Sequence, residues 1–262
     1  MDDLENGKYW EDNAEVWATL SRAGYDVYRD FLNTPAFFEL LPDVTGLTGL
    51  DLGCGEGHNT RLLSQRAGQV YAIDVSPTFL RYAHSAERER SGPIRYAAAS
   101  GQQLPFGDAA FDFVTAFMTL MDMPCPELVL KEISRVLKPR GFLQFSISHP
   151  CFLSPPSRKL LRDESENVYA VAVGRYFEGG KPWIEEWLFT AAPKEVKAGL
   201  RPFRIPVFHQ PISAWFNAIV DAGFRIERVA EPFANEEMIA KCPALADTRV
   251  AAYFLHLRCR KE

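Results

Sequence analysis

Apolar positions recur every three or four residues through 8–42, where Trp10, Ala14, Trp17 and Leu20, then Tyr28, Phe31 and Leu32, share a helical face. Pro35 interrupts this segment and Pro42 ends it. Beyond it, short apolar runs alternate with helical patterns. Residues 47–52, 69–73, 94–98, 111–117 and 142–147 read as strands. Between them, 59–66, 77–90 and 127–137 read as helices, the second opened by Ser76 as N-cap with Pro77 at its first position. In the third, positions 129, 133, 136 and 137 form a core stripe. Such alternation predicts an α/β fold: a doubly wound, Rossmann-like, mostly parallel sheet, here of seven strands, with helices on both faces.

The pattern breaks at 150. Residues 150–208 lack a helical period and are rich in aromatics. Tyr169, Val171 and Val173 alternate, as do Trp183, Glu185, Trp187 and Phe189, around the turn-forming 178–182. This predicts a β-hairpin with a long turn, and 203–208 offers a third strand held to an edge by Pro206. Helical spacing returns at Ile212, Trp215, Phe216, Ile219 and Val220 and stops at Gly223, before final strands near 224–229 and 250–257. The chain thus reads as one domain over 1–262, with an N-terminal helical cap at 1–42 and a β-rich insertion at 150–208, either a substrate lid or an oligomer interface. A homodimer through that insertion stays open.

Composition narrows the classes. The chain has 262 residues, 29 Lys and Arg against 34 Asp and Glu, and a formal net charge of -5. That balance argues against nucleic acid or an anionic membrane surface as partner. The signs alternate around Arg88, Glu89 and Arg90, as on a solvated helix face. Five scattered cysteines without CxxC spacing indicate neither a zinc site nor a disulfide framework. The N-terminus is acidic and no apolar run reaches spanning length, so a cytoplasmic protein is expected.

The chemistry concentrates at 50–57, Leu-Asp-Leu-Gly-Cys-Gly-Glu-Gly. Glycines at 53, 55 and 57 let the chain turn sharply and let a ligand lie against bare backbone. Their amides, ahead of the next helix, are expected to favour an anionic group. Asp51 before the turn suits a zwitterion better than a diphosphate.

This run resembles the first motif of the class I methyltransferases that depend on S-adenosylmethionine (SAM). Asp74 closing the next apolar run, Leu104-Pro105-Phe106 with Phe111-Asp112, and 136–141 (Val-Leu-Lys-Pro-Arg-Gly) are similar to that family's later landmarks, in its order. The chain also looks like the broad small-molecule group that includes quinone-biosynthesis enzymes. The resemblance implies SAM as cofactor, S-adenosylhomocysteine as product, and a small-molecule methyl acceptor.

It also implies roles at the carboxyl ends of the strands. Asp51, Gly53, Cys54 and Gly55 would cradle the amino acid end, and Asp74 would accept the ribose hydroxyls. Val75 and Phe79 would flank the adenine. Ser100, with Gly101 and Gln102, stands where the family carries an acidic residue for the adenine amino group; a plain turn is the alternative. Phe117 and Met118 would line the sulfonium or merely pack. Among the N-terminal aromatics that would close over the methionine end, Tyr28 and Arg29 are preferred because they precede a helix break. His149 is the candidate proton acceptor, at the mouth of the site, or else a structural histidine. His149, His209 and Trp183 are candidates for touching the acceptor; His209 could instead cap the following helix, and Trp183 could instead lie in an oligomer interface. No metal ligand set is expected. Two other functions stay open: a nicotinamide-dependent Rossmann oxidoreductase, disfavoured by G-x-G-x-G in place of G-x-G-x-x-G, and a non-catalytic SAM-binding protein.

Overall fold

The computed structural model describes residues 1–88 and 94–262. The sign-alternating face read around Glu89 and Arg90, with the end of the helix predicted to reach 90, lies outside them.

The chain opens with α1 (Asp3–Arg22), whose first turn is capped where Asp2 accepts from the Glu5 amide at 2.8 Å. A π-helical turn (Arg29–Asn33) runs directly into α2 (Thr34–Leu40). Pro35 therefore falls in a first helical turn, where its missing N–H costs nothing, and does not break the segment there. The alternating part follows as β1 (Thr48–Leu52), α3 (His58–Ser64), β2 (Gln69–Asp74), α4 (Pro77–Arg88), β3 (Arg95–Ala98), β4 (Phe111–Phe117), α5 (Pro126–Val136) and β5 (Leu137–Ser148). Ser76 caps α4 by accepting from the Phe79 amide at 3.1 Å.

The insertion holds β6 (Ser157–Arg162), β7 (Val168–Gly174), β8 (Trp183–Trp187), a single turn α6 (Lys194–Lys197) and β9 (Phe203–Val207). The chain closes with α7 (Ile212–Asp221), β10 (Phe224–Ala230), α8 (Glu236–Lys241) and β11 (Phe254–Lys261).

Among the described residues, seven strands form one sheet in the order β3-β2-β1-β4-β5-β11-β10. The five strands from β3 to β5 are parallel, and β11 runs antiparallel between β5 and β10. One face is covered by α5 and α7, packing Ile133, Trp215 and Ile219 on Val114, Phe145 and Leu257. On the other, Phe37, Phe38 and Leu63 from α2 and α3 meet Val70, Phe113 and Phe142. The sheet is thus doubly wound, and the order of strands reverses between β1 and β4, where such sheets open a crevice.

The insertion departs from its expected pairing. β7 pairs back with β6, and β8 with β9, so the two alternating runs belong to separate ribbons. The turn that decides this is 163–167, where the Asp163 carboxylate accepts from the Ser165 and Asn167 amides at 2.8 and 2.9 Å. Residues 175–182 join the ribbons instead of closing one. Pro206 sits in β9, whose only paired neighbour among the described residues is β8.

The cap helix α1 joins the two parts of the molecule. On one side Glu11 accepts from Ser76 Oγ, Thr78 Oγ1 and the Thr78 amide, at 2.5, 2.7 and 3.1 Å, at the head of α4. On the other, the Asn13 amide exchanges two 3.0 Å hydrogen bonds with the backbone of Arg204 in β9. Trp17 packs edge-to-face on Trp187 and Phe189 and at a tilt on Phe203. No described helix is long and apolar enough to cross a membrane.

Candidate active site

The carboxyl ends of β1 to β4 open into a cavity of about 1110 Å³, roofed by α1, the 29–33 turn and the insertion. Gly53, Gly55 and Gly57 turn the chain out of β1 with φ of 68°, 52° and 83°. At Gly53 a side chain has no room: a Cβ would stand 2.1 Å from Thr119 Oγ1. At Gly55 the same atom would meet nothing within 4 Å, so bare backbone faces the cavity there. The loop's amides, expected to meet an anion, are engaged internally instead. Those of Gly53 and Cys54 donate to Ile73 O, and that of Gly55 donates to Asp74 Oδ2 at 2.8 Å. The loop therefore offers close approach more than free donors.

Two buried carboxylates flank this turn. Asp51 accepts from Thr60 Oγ1 at 2.6 Å and Thr115 Oγ1 at 2.8 Å, which ties β1 to α3 and β4. Asp74 accepts from the Gly55 amide on one oxygen and from the Ser76 amide on the other, at 2.8 and 2.9 Å. Burial pushes both carboxyls up to about 6, partly opposed by these donors. Each Asp74 oxygen keeps a lone pair for a ligand. Glu56, also buried and lining the cavity, is clamped by Arg22 at 2.8 Å and Arg61 at 3.1 Å.

Around them the cavity collects Cys54, Val75, Phe79, Ser100, Gly101, Phe117, Met118, Tyr28 and Arg29. Met118 takes a left-handed φ of 52° as the chain leaves β4, a conformation non-glycine residues adopt at a cost. The Ser100 hydroxyl donates to Asp3 of α1, so a carboxylate does stand at this corner, brought by the cap helix. Tyr28 donates to Asp247 Oδ2 at 2.8 Å and stacks on Tyr253. The Arg29 guanidinium is engaged by Asp30 at 2.7 Å and Asp26 at 3.8 Å.

Four expected positions stand elsewhere. His149 is buried outside the cavity wall; its Nδ1 accepts from the Cys151 amide at 3.1 Å, which leaves Nε2–H to donate to Glu231 at 2.7 Å. With both nitrogens committed, it has none to offer a substrate. Burial lowers its affinity for a proton, with Glu231 opposing. The Cys151 thiol points to Tyr176 and makes no pair with this imidazole. His209 is likewise held, between Ser154 Oγ at 3.2 Å and Tyr176 O at 2.6 Å. Trp183 donates to Glu185 at 3.3 Å and does not reach the wall, whereas Trp187, four residues along the same strand, does. Gln102 closes a turn, its amide donating to Ser100 Oγ at 3.0 Å.

Other lining residues were not anticipated: Asp3 and Asn6 on α1, Glu56, Asp122 after β4, and Asp247 with Tyr253 near the C-terminus. Asp3 and Asn6 share a helix face with Trp10 and Trp17, a spacing the sequence did contain.

A family model described as a methyltransferase domain matches residues 50–145. The chain is 39% identical over 158 residues to a demethylmenaquinone methyltransferase of Lactococcus lactis, covering 58% of this chain and 57% of that protein. It is 30% identical over 124 residues to a malonyl-[acyl-carrier protein] O-methyltransferase of Pectobacterium atrosepticum, covering 47% of each. The chain thus spans only 57% and 47% of the lengths of these relatives. In fold it is similar to an S-adenosylmethionine dependent methyltransferase from Mesorhizobium loti. The TM-score is 0.71 at 24% identity, covering 87% of this chain and 96% of that one.

Proposed function

Residues 50–145 carry a methyltransferase domain on the class I SAM-dependent fold, and from that premise we propose that this chain methylates a small-molecule acceptor, with SAM as the donor. The observation that carries the proposal is the pairing of bare backbone at Gly55 with Asp74, which lines the same cavity and whose two oxygens each keep a lone pair. A ribose diol fits those lone pairs, and an adenosyl group fits the adjoining wall of Val75, Phe79 and Gly101. In this reading Asp3, presented by Ser100, accepts from the adenine amino group in place of an acidic residue after β3. Met118 and Phe117 line the methionine arm, and Tyr28 and Arg29 close it.

When bound, SAM supplies an activated methyl group that an in-line nucleophile takes, leaving the carbon–sulfur electron pair on sulfur. What remains for the protein is orientation and exclusion of water. The insertion is suited to both as a lid, since Trp187, Phe189 and Ile205 turn toward the cavity and Asn13 fixes β9 to the cap. We assign 150–208 that role in a cytoplasmic enzyme.

Calorimetric titration with SAM, S-adenosylhomocysteine and NADH tests the reading. Micromolar binding of both adenosyl ligands and none of NADH is the expected outcome; the reverse pattern overturns it.

A further inference from the structure

Where the insertion closes over the cavity, its polar atoms are unevenly matched. Asp122 stands in the short turn (Leu120–Asp122) beyond the carboxyl end of β4 and lines the cavity. Its backbone carbonyl accepts from Asn6 Nδ2 at 2.8 Å. Its carboxylate has no hydrogen-bond or ion-pair partner among the described residues. Asn6 lines the same cavity, is only 4% exposed, and its Oδ1 has no donor. Two neighbouring residues thus present acceptors with nothing to accept from. The Asn6 oxygen is closed off from the cavity, so of the two only the Asp122 carboxylate can accept from a ligand bearing N–H groups.

Charge points the same way. Facing Asp122 from β8 is Glu185, whose carboxylate is held by Arg158 of β6 at 2.8 and 3.1 Å. Glu186 also lines the wall, as does Asp3 of α1, which is engaged by Ser100. Burial first, and Glu185 second, push the Asp122 carboxyl well above its ordinary range. A cation at this place would relieve both effects. Trp10, Trp17 and Trp187 line the cavity too, and aromatic faces attract cations.

We infer that the methyl acceptor is an amine, seated with an N–H bond on the Asp122 carboxylate, and that Asp122 takes its proton. The inference rests on the methyl-transfer reading above. The amine enters as an ammonium ion. One N–H bond breaks, its proton passes to the Asp122 carboxylate, and the electron pair stays on nitrogen. That pair forms the bond to the methyl carbon as the carbon–sulfur bond breaks with its electrons on sulfur. The product is a methylated ammonium, and Asp122 returns its proton to water.

The test uses an isosteric pair of opposite charge, tryptamine and indole-3-acetate, titrated into protein loaded with S-adenosylhomocysteine. Tryptamine should bind at least about tenfold more tightly. Asp122→Asn should erase that preference while leaving S-adenosylhomocysteine affinity unchanged. With labelled methyl donor, Asp122→Asn should slow amine methylation by roughly 100-fold and abolish the rise of rate with pH on the acid side. Equal or tighter binding of indole-3-acetate, binding of neither probe, or a preference that survives Asp122→Asn overturns the inference. If S-adenosylhomocysteine itself fails to bind, the methyl-transfer reading has failed first, and the two failures are told apart.

Discussion

The two ends of the cavity treat their acids differently. Near the glycine loop, Asp51 and Asp74 are buried, and each oxygen is met by a hydroxyl or amide of the chain. Near the insertion, Asp122 and the Asn6 amide oxygen have no such partners. The first end is organised by the sheet before any ligand arrives, because Thr60, Thr115 and Ser76 are fixed by the elements that carry them. The second end is assembled from a turn, the cap helix and two ribbons, and its Asp122 carboxylate is completed only by what binds.

That contrast is tested most severely at Gly53. Alanine there would have to place Cβ 2.1 Å from Thr119 Oγ1 at a φ of 68°. Left-handed strain and overpacking together should cost about 2–5 kcal/mol, read as a lowered unfolding midpoint in urea, with adenosyl binding lost. Wild-type stability would show that the turn is not the rigid frame argued above.

Asp74 comes next. Asp74→Ala should weaken S-adenosylhomocysteine binding by about 2–3 kcal/mol, the loss expected for hydrogen bonds to a charged group. Because burial raises this carboxyl to about 6, wild-type affinity should be constant above that pH and fall as pH drops below it, when the carboxylate takes up a proton. The acid-side fall should be absent from Asp74→Asn. A pH-independent wild-type affinity would mean that the ligand does not use the ionised carboxylate.

The same contrast explains what could be seen in the sequence. Strand–helix alternation, the glycine turn and Asp74 were legible because each depends on a few neighbouring residues. Ser76 as an N-cap was legible for the same reason. The pairing of the ribbons was not, because the alternating runs of β7 and β8 are equally good partners on paper and the Asp163 turn decides between them. The histidines misled for a related reason. Position just after a strand places a residue near the mouth of a site, but Glu231, which claims His149 Nε2, lies 82 residues away, and the two partners of His209 lie 33 and 55 residues away. Asp122 carried no periodic signal, and its isolation is a property of the space around it.

A smaller effect is expected at the joint between cap and lid. Asn13→Ala removes both bonds to Arg204, leaving the Arg204 backbone N–H and C=O without these partners, and should lower stability by about 1–2 kcal/mol. Limited proteolysis should then cut faster within 150–208, while S-adenosylhomocysteine affinity changes little. Loss of adenosyl binding instead would show that lid and cradle are a single unit.

The smallest effect on function is expected at His149. Its ring bridges the Cys151 amide and Glu231, and burial disfavours its charged form. Removing the bridge in His149→Phe leaves the Cys151 amide without its acceptor and should cost about 1–2 kcal/mol of stability. Cofactor affinity and the acid limb of the rate profile should not move, since the ring faces neither the cavity nor Asp122. The decisive comparison is between this variant and Asp122→Asn. If His149→Phe loses turnover while remaining folded and Asp122→Asn does not, proton acceptance belongs to the strand-end histidine after all. The division of labour between the two ends of the cavity would then have to be redrawn.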